Sequence, residues 1–219
     1  MRNYAFLFTG LLAFTVHAEP QSGAGQPPEP ESAVAATWVE HDVNFYFFGM
    51  SLEHSIYYDC DALAAKVERL LRLAGARRDL NVRAYGCYGG ADRVSIMIHA
   101  DLHFHSPTLT PPTGDAAPRE PQPAAAQWKP VKLQLGRTSD FDVGDCMLVE
   151  QFKRQVLKYF DVRNVTSNLP CDISVGSPHT KASLAFEALT AAPAAEEESI
   201  LAEKEAKKRD DQMKSERKN

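Results

Sequence analysis

The sequence predicts an α+β fold, in which a sheet of about six strands carries two helices on one face and is stapled by disulfide bonds. Two segments have the apolar spacing of amphipathic helices, and several short segments alternate as half-buried strands do. An Asp-Cys pair precedes each helical segment, at Asp59-Cys60 and at Asp145-Cys146. The pairs lie 145 − 59 = 86 positions apart, which predicts two β-α-β-β repeats. The alternative is two unrelated helices that happen to follow an Asp-Cys pair.

Residues 1–18 have the three-part pattern of a secretory signal peptide. Arg2 precedes an apolar run from Tyr4 to Val16, and small residues allow cleavage after Ala18. The run is too short for a comfortable span of a hydrocarbon core of about 30 Å, so no integral membrane anchor is expected. The pattern predicts a periplasmic or secreted protein.

The charge of the chain argues against one large class of partner. The chain has 24 Lys and Arg against 29 Asp and Glu, and residues 1–18 contain one of the cations and none of the acids. The mature chain therefore has a formal charge of 23 − 29 = −6. Because a nucleic-acid-binding surface needs a basic excess, no nucleic-acid partner is expected.

Three segments have compositions that do not predict a buried face. Residues 19–36 are predicted to be a disordered leader, and residues 106–127 a Pro/Ala-rich tether. Residues 190–219 are predicted to be a charged tail that is either a solvated helix or disordered, with a docking segment for a partner or for the cell envelope as the alternative. These assignments leave two folded halves, 37–105 and 128–189, each predicted to be one β-α-β-β repeat.

The first half is predicted to contain a strand, a helix and two further strands. The apolar segment 43–49 is predicted to be the first strand, and its aromatic residues are expected to form a buried or half-buried strand or, alternatively, a shelf on which a ligand stacks. Asp59 is placed to cap the helix, and Gly75 to end it. The helix is indicated by one apolar stripe: Leu63, Val67, Leu70, Leu71 and Ala74. A return strand ends at Cys87, and a long alternating strand follows at 93–105.

The second half has the same predicted order of elements. Its first strand is 131–136, and Asp145 is placed to cap the helix. The helical stripe consists of Val149, Phe152, Val156, Tyr159 and Phe160. A return strand ends at Cys171, and the final strand is 183–189.

The four cysteines are expected to be structural, because an even number of cysteines in an exported chain favours disulfides and no C-x-x-C motif occurs. Four cysteines allow three pairings, and geometry selects one. Residues 60–74 span about 22 Å as a helix, and residues 82–87 return about 20 Å as a strand. The start of each helix should therefore meet the end of its own return strand. The predicted pairs are Cys60–Cys87 and Cys146–Cys171.

The strand 93–105 also contains the best candidate for a metal site. Its even-numbered residues are apolar and should face the core, so that alternate residues share the opposite face. Those alternate residues are His99, Asp101, His103 and His105. Imidazoles two positions apart on a strand can converge on one ion, and this donor set suits zinc or copper. The alternatives are an ordinary polar face, or a histidine row that responds to acid.

The sequence contains none of the common short catalytic or nucleotide-binding motifs. The leading hypothesis is therefore an exported, non-enzymatic protein that binds another cell-envelope component, either a protein or a glycan. The second hypothesis is a metal-binding or metal-buffering protein that uses the face at 99–105. A hydrolase is the third.

Overall fold

A computed structural model describes six segments of the chain: 33–50, 56–87, 97–110, 122–136, 140–171 and 182–216. The predicted signal peptide, the leader up to residue 32 and the middle of the predicted tether lie outside these segments.

Six strands in the described residues form one antiparallel sheet in the order β2-β3-β1-β4-β6-β5. The strands are β1 (Val34–Phe48), β2 (Asn81–Tyr85), β3 (Met97–Thr108), β4 (Gln122–Gln134), β5 (Val162–Asn168) and β6 (Ser183–Ala191). β3 lies between β1 and β2, and β6 lies between β4 and β5, so the strands on either side of each predicted helix are not neighbours. The predicted α+β class is confirmed.

Three helices occur in the described residues: the two predicted on the sheet, and a third in the segment predicted to be a solvated helix or disordered. They are α1 (Cys60–Ala74), α2 (Cys146–Gln155) and α3 (Pro193–Glu216). Short 3-10 turns precede and follow α2, at Val143–Asp145 and Leu157–Tyr159. Within the described segments, no helix combines the length and apolar character needed to cross a membrane.

The main core lies between the sheet and the apolar stripes of α1 and α2. Leu63, Val67 and Leu71 of α1 are fully buried, as are Val149 of α2 and Phe45 of β1. Alternate residues of β1 and β3 point into this core, as the two-residue period of a strand requires. The burial of these stripes stabilises the two-layer arrangement.

Both predicted disulfides are present and attach each helix start to its own half. Cys60 is bonded to Cys87, and Cys146 to Cys171, with Cα–Cα distances of 5.4 Å in both. The prediction of a disulfide-stapled fold is therefore confirmed.

The edge of β1 that does not face β3 has two different neighbours along its length. Its residues 34–38 pair with 122–126 of β4. Further along, Gln155 of α2 accepts from the Tyr46 main-chain N–H (3.0 Å) and donates to the Tyr46 carbonyl oxygen (2.8 Å). Gln151 makes the same two contacts with Phe48, each at 2.8 Å. Two glutamine side chains thus satisfy main-chain groups that would otherwise form an open sheet edge.

α3 packs on the side of the sheet opposite to α1 and α2, which we call the outer face. Ser199 of α3 donates a hydrogen bond to Gln122 of β4 at 2.6 Å. Gln122 pairs across the sheet with Trp38, whose side chain alternates away from the core side of β1. The prediction of helices on one face only is therefore wrong, because the third helix covers part of the other face.

The predicted boundaries of the leader and tether are also wrong where strands extend into them. Residues 34–36 belong to β1, 106–108 to β3 and 122–127 to β4. Ala36 and Ala124 pair directly and are buried in a small cluster with Trp38. Alanine has little strand preference of its own, so tertiary packing under α3 overrides local propensity here. The predicted tail likewise begins inside β6, which continues to Ala191.

Candidate functional site

The four residues proposed for metal binding lie on the outer face, as the alternation predicts. Their neighbours Ile98, Ala100, Leu102 and Phe104 are buried in the core. The rings of His103 and His105 contact each other, with centroids 5.8 Å apart, but within the described residues the four side chains do not form one group of metal donors. His99 lies between two tyrosines, Asp101 accepts from Tyr85, His103 contacts Asp42, and His105 contacts Arg77.

An exposed group of large side chains occupies one end of the outer face, and we call it the aromatic patch. It consists of Tyr46, Phe48, Tyr85 and Met97, with His99 between them. The four large side chains are between 43% and 48% exposed. Cross-strand pairing places Tyr46 and Tyr85 on either side of His99, and Phe48 opposite Met97. The His99 ring centroid lies 4.8 Å from Tyr46 and 6.0 Å from Tyr85.

The patch exists because β1 alternates strictly between two faces. Phe45 and Phe47 are buried, whereas Tyr46 and Phe48 point outward. The segment is therefore a half-buried strand, as the sequence predicts, with Tyr46 and Phe48 on its exposed face. Large apolar side chains that are exposed together commonly mark a binding surface.

Beside the patch, His103 meets two carboxylates from β1. Its Nδ1 lies 2.9 Å from Asp42 Oδ1 and 3.7 Å from Glu40 Oε1. One donor atom from each residue lies within 4.8 Å of the others, and this is the one group of three potential metal donors within the described residues. Sequence reasoning missed Glu40 and Asp42 because only the pairing register of β1 with β3 places Asp42 opposite His103. The histidine-rich strand alone contains no signal for this register.

At the other end of the outer face, a fully buried arginine joins four elements. Arg77, in the turn after α1, has a side-chain exposure of 0% and pairs with Asp79 at 2.7 Å and with Glu203 of α3. It also donates to Ser199 at 2.7 Å and stacks over Trp38 at 5.5 Å. Burial by itself would lower the pKa of Arg77, but its hydrogen bonds to Asp79 and Glu203 raise it overall. The guanidinium is therefore held charged and anchors α3 to the sheet.

Arg77 also favours the neutral form of His105. An Arg77 Nη lies 3.1 Å from His105 Nδ1. Burial and the nearby positive charge of Arg77 together lower the pKa of His105 below its ordinary value. A neutral imidazole accepts a hydrogen bond from Arg77, so this histidine is committed to the anchor of α3.

A serine and a histidine also meet near the end of β3. His41 Nε2 lies 2.9 Å from Ser106 Oγ, and Ser106 donates to the Tyr159 carbonyl oxygen at 3.0 Å. Because the serine proton points to Tyr159, His41 donates to Ser106 and does not act as its base. Ser106 is also only 1% exposed. This pair does not have the geometry of an activated nucleophile.

No family model, no curated protein and no solved structure matches this chain.

Proposed function

We propose that this protein is an exported, non-enzymatic binding protein that contacts another component of the cell envelope through the aromatic patch. Export is supported by the two disulfides, which are typical of oxidising compartments, and by the signal pattern at 1–18. N-terminal sequencing of protein recovered from the periplasm or medium should begin at Glu19. Recovery of the uncleaved chain from the cytoplasm would contradict export.

The observation that supports a binding role most directly is the composition of the patch. Tyr, Phe and Met are enriched at the centres of protein–protein interfaces, whereas Lys and Glu are depleted there. The side chains of Phe48 and Met97 are mainly apolar and are nevertheless exposed by 43% and 48%. Rigid aromatic side chains on one face of a sheet can also form an interface at a small cost in conformational entropy.

The charges around the patch indicate what kind of partner would fit. Exposed acidic residues flank it on the outer face: Glu40, Asp42 and Asp101. The exposed cation among the strand neighbours is Arg83, which lies opposite Asp101. The partner that would fit is a protein whose contact surface has an apolar centre and a basic rim. Opposite charges at the rims of two surfaces speed their association and fix their relative orientation.

Site-specific photo-crosslinking in the source cells tests this proposal. A photoreactive phenylalanine analogue at Tyr46 or Tyr85 should form one discrete adduct with a protein, whereas the same analogue at exposed Val165 of β5 should not. The crosslinked protein is then purified and titrated with the wild type and with Tyr46→Ser/Tyr85→Ser. Loss of two interface aromatics should weaken binding about 100-fold, whereas Val165→Ser should leave it unchanged.

Three outcomes would contradict a protein partner at this surface. They are the absence of an adduct, an equal adduct at Val165, and equal affinity of the two variants. If the wild type co-sediments with purified peptidoglycan sacculi and Tyr46→Ser/Tyr85→Ser does not, the partner is a glycan and not a protein.

A second candidate function is binding of zinc or copper, supported by the group of Glu40, Asp42 and His103. One imidazole and two carboxylates suit zinc, with a position left for water or another ligand. Titration with Zn²⁺ and Cu²⁺ should show micromolar binding that His103→Gln abolishes. His99→Gln, on the same face but outside the group, is the matched control. Equal binding by both variants would exclude this site.

We also infer that the two halves are β-α-β-β repeats. A shift of 86 positions carries the pair Phe45↔Ala100 onto Val131↔Phe186, and Phe47↔Ile98 onto Leu133↔Leu184. The order of strands within each half is also the same. An experimental structure should superimpose the first half on the second by a twofold rotation, and a failure of β1 and β3 to superimpose on β4 and β6 would contradict the repeat.

A further inference from the structure

A cleft of about 440 Å³ lies between the end of α1, the strand β4 and the first turn of α3. Its walls contain four cations and one acid. The cations are Arg72, Arg78, Lys129 and Lys132, and the acid is Glu196. This local excess of positive charge stands out because the whole chain has a formal charge of −5.

The two lysines are the cations most available to a ligand. Arg72 pairs with Glu68 one turn earlier on α1, and Arg78 lies 3.5 Å from Glu196. Lys129 and Lys132 are exposed, and neither forms an ion pair with any residue in the part of the chain that the structure describes. Glu196 also accepts from the Arg78 main-chain N–H at 2.5 Å. The acid is therefore already occupied, while the lysines are not.

The cleft also has an apolar surface and a capped helix end. Trp38, Pro130 and Val131 contribute to its lining. Near the end of α1, the Arg72 and Leu71 carbonyl oxygens accept hydrogen bonds from the main-chain N–H groups of Gly75 (3.2 Å) and Ala76 (3.0 Å). These two carbonyl oxygens are therefore already hydrogen-bonded within the protein. A volume of this size is within the range of small-molecule pockets.

We propose that this cationic cleft binds a phosphate group carried on a small organic molecule. The lysines and arginines would neutralise the dianionic phosphate by charge-assisted hydrogen bonds. The apolar wall formed by Trp38, Pro130 and Val131 would contact the organic part. This site is separate from the aromatic patch, so its occupancy does not depend on the proposed envelope partner.

Isothermal titration of the oxidised mature protein with glucose 6-phosphate tests the proposal, with glucose and inorganic phosphate as comparison probes. Glucose 6-phosphate should bind saturably at millimolar concentrations or below, more tightly than inorganic phosphate, and glucose should not bind. Amide shifts in a nitrogen-15 NMR spectrum should be largest at Gly75, Ala76 and Arg78. Binding should weaken as salt is added.

Two variants with the same change in net charge distinguish binding at this cleft from a general electrostatic attraction between the protein and anions. Lys129→Gln/Lys132→Gln should weaken binding about tenfold, since two charge-assisted contacts are lost. Lys207→Gln/Lys208→Gln, on the exposed part of α3, should bind like the wild type. The proposal is overturned by an absence of saturable binding, by equal binding of glucose, or by equal losses in the two variants. Binding to phosphatidic acid vesicles without binding to glucose 6-phosphate would also overturn it.

Discussion

Asp59 and Asp145 both precede a disulfide-bonded cysteine at the start of a helix, yet their side chains have different partners. Asp59 is exposed and accepts a hydrogen bond from the Ala62 main-chain N–H at 2.6 Å, as a helix cap does. Asp145 is 1% exposed and makes no side-chain cap. It accepts instead from the Tyr58 hydroxyl and from Lys66 Nζ (2.5 Å). Both of these partners belong to the first half of the chain.

The backbone before each helix explains the difference. Asp59 is extended (φ −71°, ψ 162°), which lets its carboxylate fold over the first turn of α1. Asp145 is the last residue of a 3-10 turn (φ −77°, ψ 0°), and its carboxylate turns back to the Asp142 main-chain N–H at 2.8 Å. The same Asp-Cys pair therefore stands at the start of both helices, but only the first aspartate caps its helix.

Asp145 thereby connects the two halves. Burial, together with the hydrogen bond to Asp145, raises the pKa of Tyr58 well above its ordinary value, so the phenol stays protonated and donates. Lys66 also lies over the rings of Tyr58 and Phe141, at 5.9 Å and 5.8 Å from their centroids. A cap stabilises one helix, whereas this cluster stabilises the contact between helices of different halves.

Removing a disulfide should cause the largest loss of stability, and the loss should be similar for the two halves. Cys60→Ala/Cys87→Ala and Cys146→Ala/Cys171→Ala open loops of similar size, with separations of 27 and 25 residues. Each pair should lower the free energy of unfolding by about 3.5 kcal/mol, because the unfolded chain regains loop entropy. Urea unfolding followed by circular dichroism measures both. A difference above about 2 kcal/mol between the variants would show that the halves are not stapled equivalently.

Asp145→Ala should be the next most damaging change. It removes the acceptor for Tyr58 and the counter-ion of Lys66 inside the protein, which should cost about 3 kcal/mol. The loss lies at the lower end for such pairs because the Lys66 side chain is 25% exposed and can reach water. Asp140→Ala is the matched control, since its pair with Arg69 is exposed and should contribute at most about 0.5 kcal/mol. Equal losses in the two variants would refute a connecting role for Asp145.

This contrast also shows which features were accessible from sequence. The cysteine pairs were predictable because helix and strand lengths must match within one half. The faces of β3 were predictable because alternation is a local property. Asp145 was predicted to cap α2, and this is wrong because the preceding 3-10 turn and the partners Tyr58 and Lys66 are set by tertiary structure.

α3 was missed as a packed element for a related reason. Its sequence has few apolar residues, and it docks mainly through polar contacts of Ser199 and Glu203 with Arg77. Hydrophobic periodicity does not detect a helix that is held by a buried arginine. The group of Glu40, Asp42 and His103 was missed in the same way, because it depends on a strand register between distant segments.

The third-largest predicted effect is a loss of stability at acidic pH that arises in the first half of the chain. Burial, and secondarily the nearby His105, lowers the pKa of His41 to about 4, with Asp42 opposing this shift. The unfolded chain takes up the proton near pH 6.5, so stability is unaffected above that pH and falls as the pH drops toward 4. Since His41 is partly exposed, the loss should be about 1–2 kcal/mol.

His41→Gln should flatten this part of the pH profile, measured by urea unfolding at several pH values between 7 and 4. The shift of 86 positions already places a glutamine, Gln127, at the corresponding point of the second half. His105 still titrates in the variant, so a residual slope is expected. An unchanged slope would mean that His41 does not contribute to the acid sensitivity of the first half.

Of the two aspartates that precede the helices, Asp59 should have the smaller effect: Asp59→Ala should cost about 1 kcal/mol, because a cap satisfies one N–H at a helix end that water can also reach. Asp59→Asn should be nearly silent, since asparagine caps about as well as aspartate. Asp145→Asn should not be silent, because an amide does not replace the charge that faces Lys66. Thermal unfolding of the two asparagine variants therefore isolates charge from hydrogen bonding. If Asp59→Asn were as destabilising as Asp145→Asn, the first aspartate would also depend on its charge, and the distinction between a cap and a connection would fail.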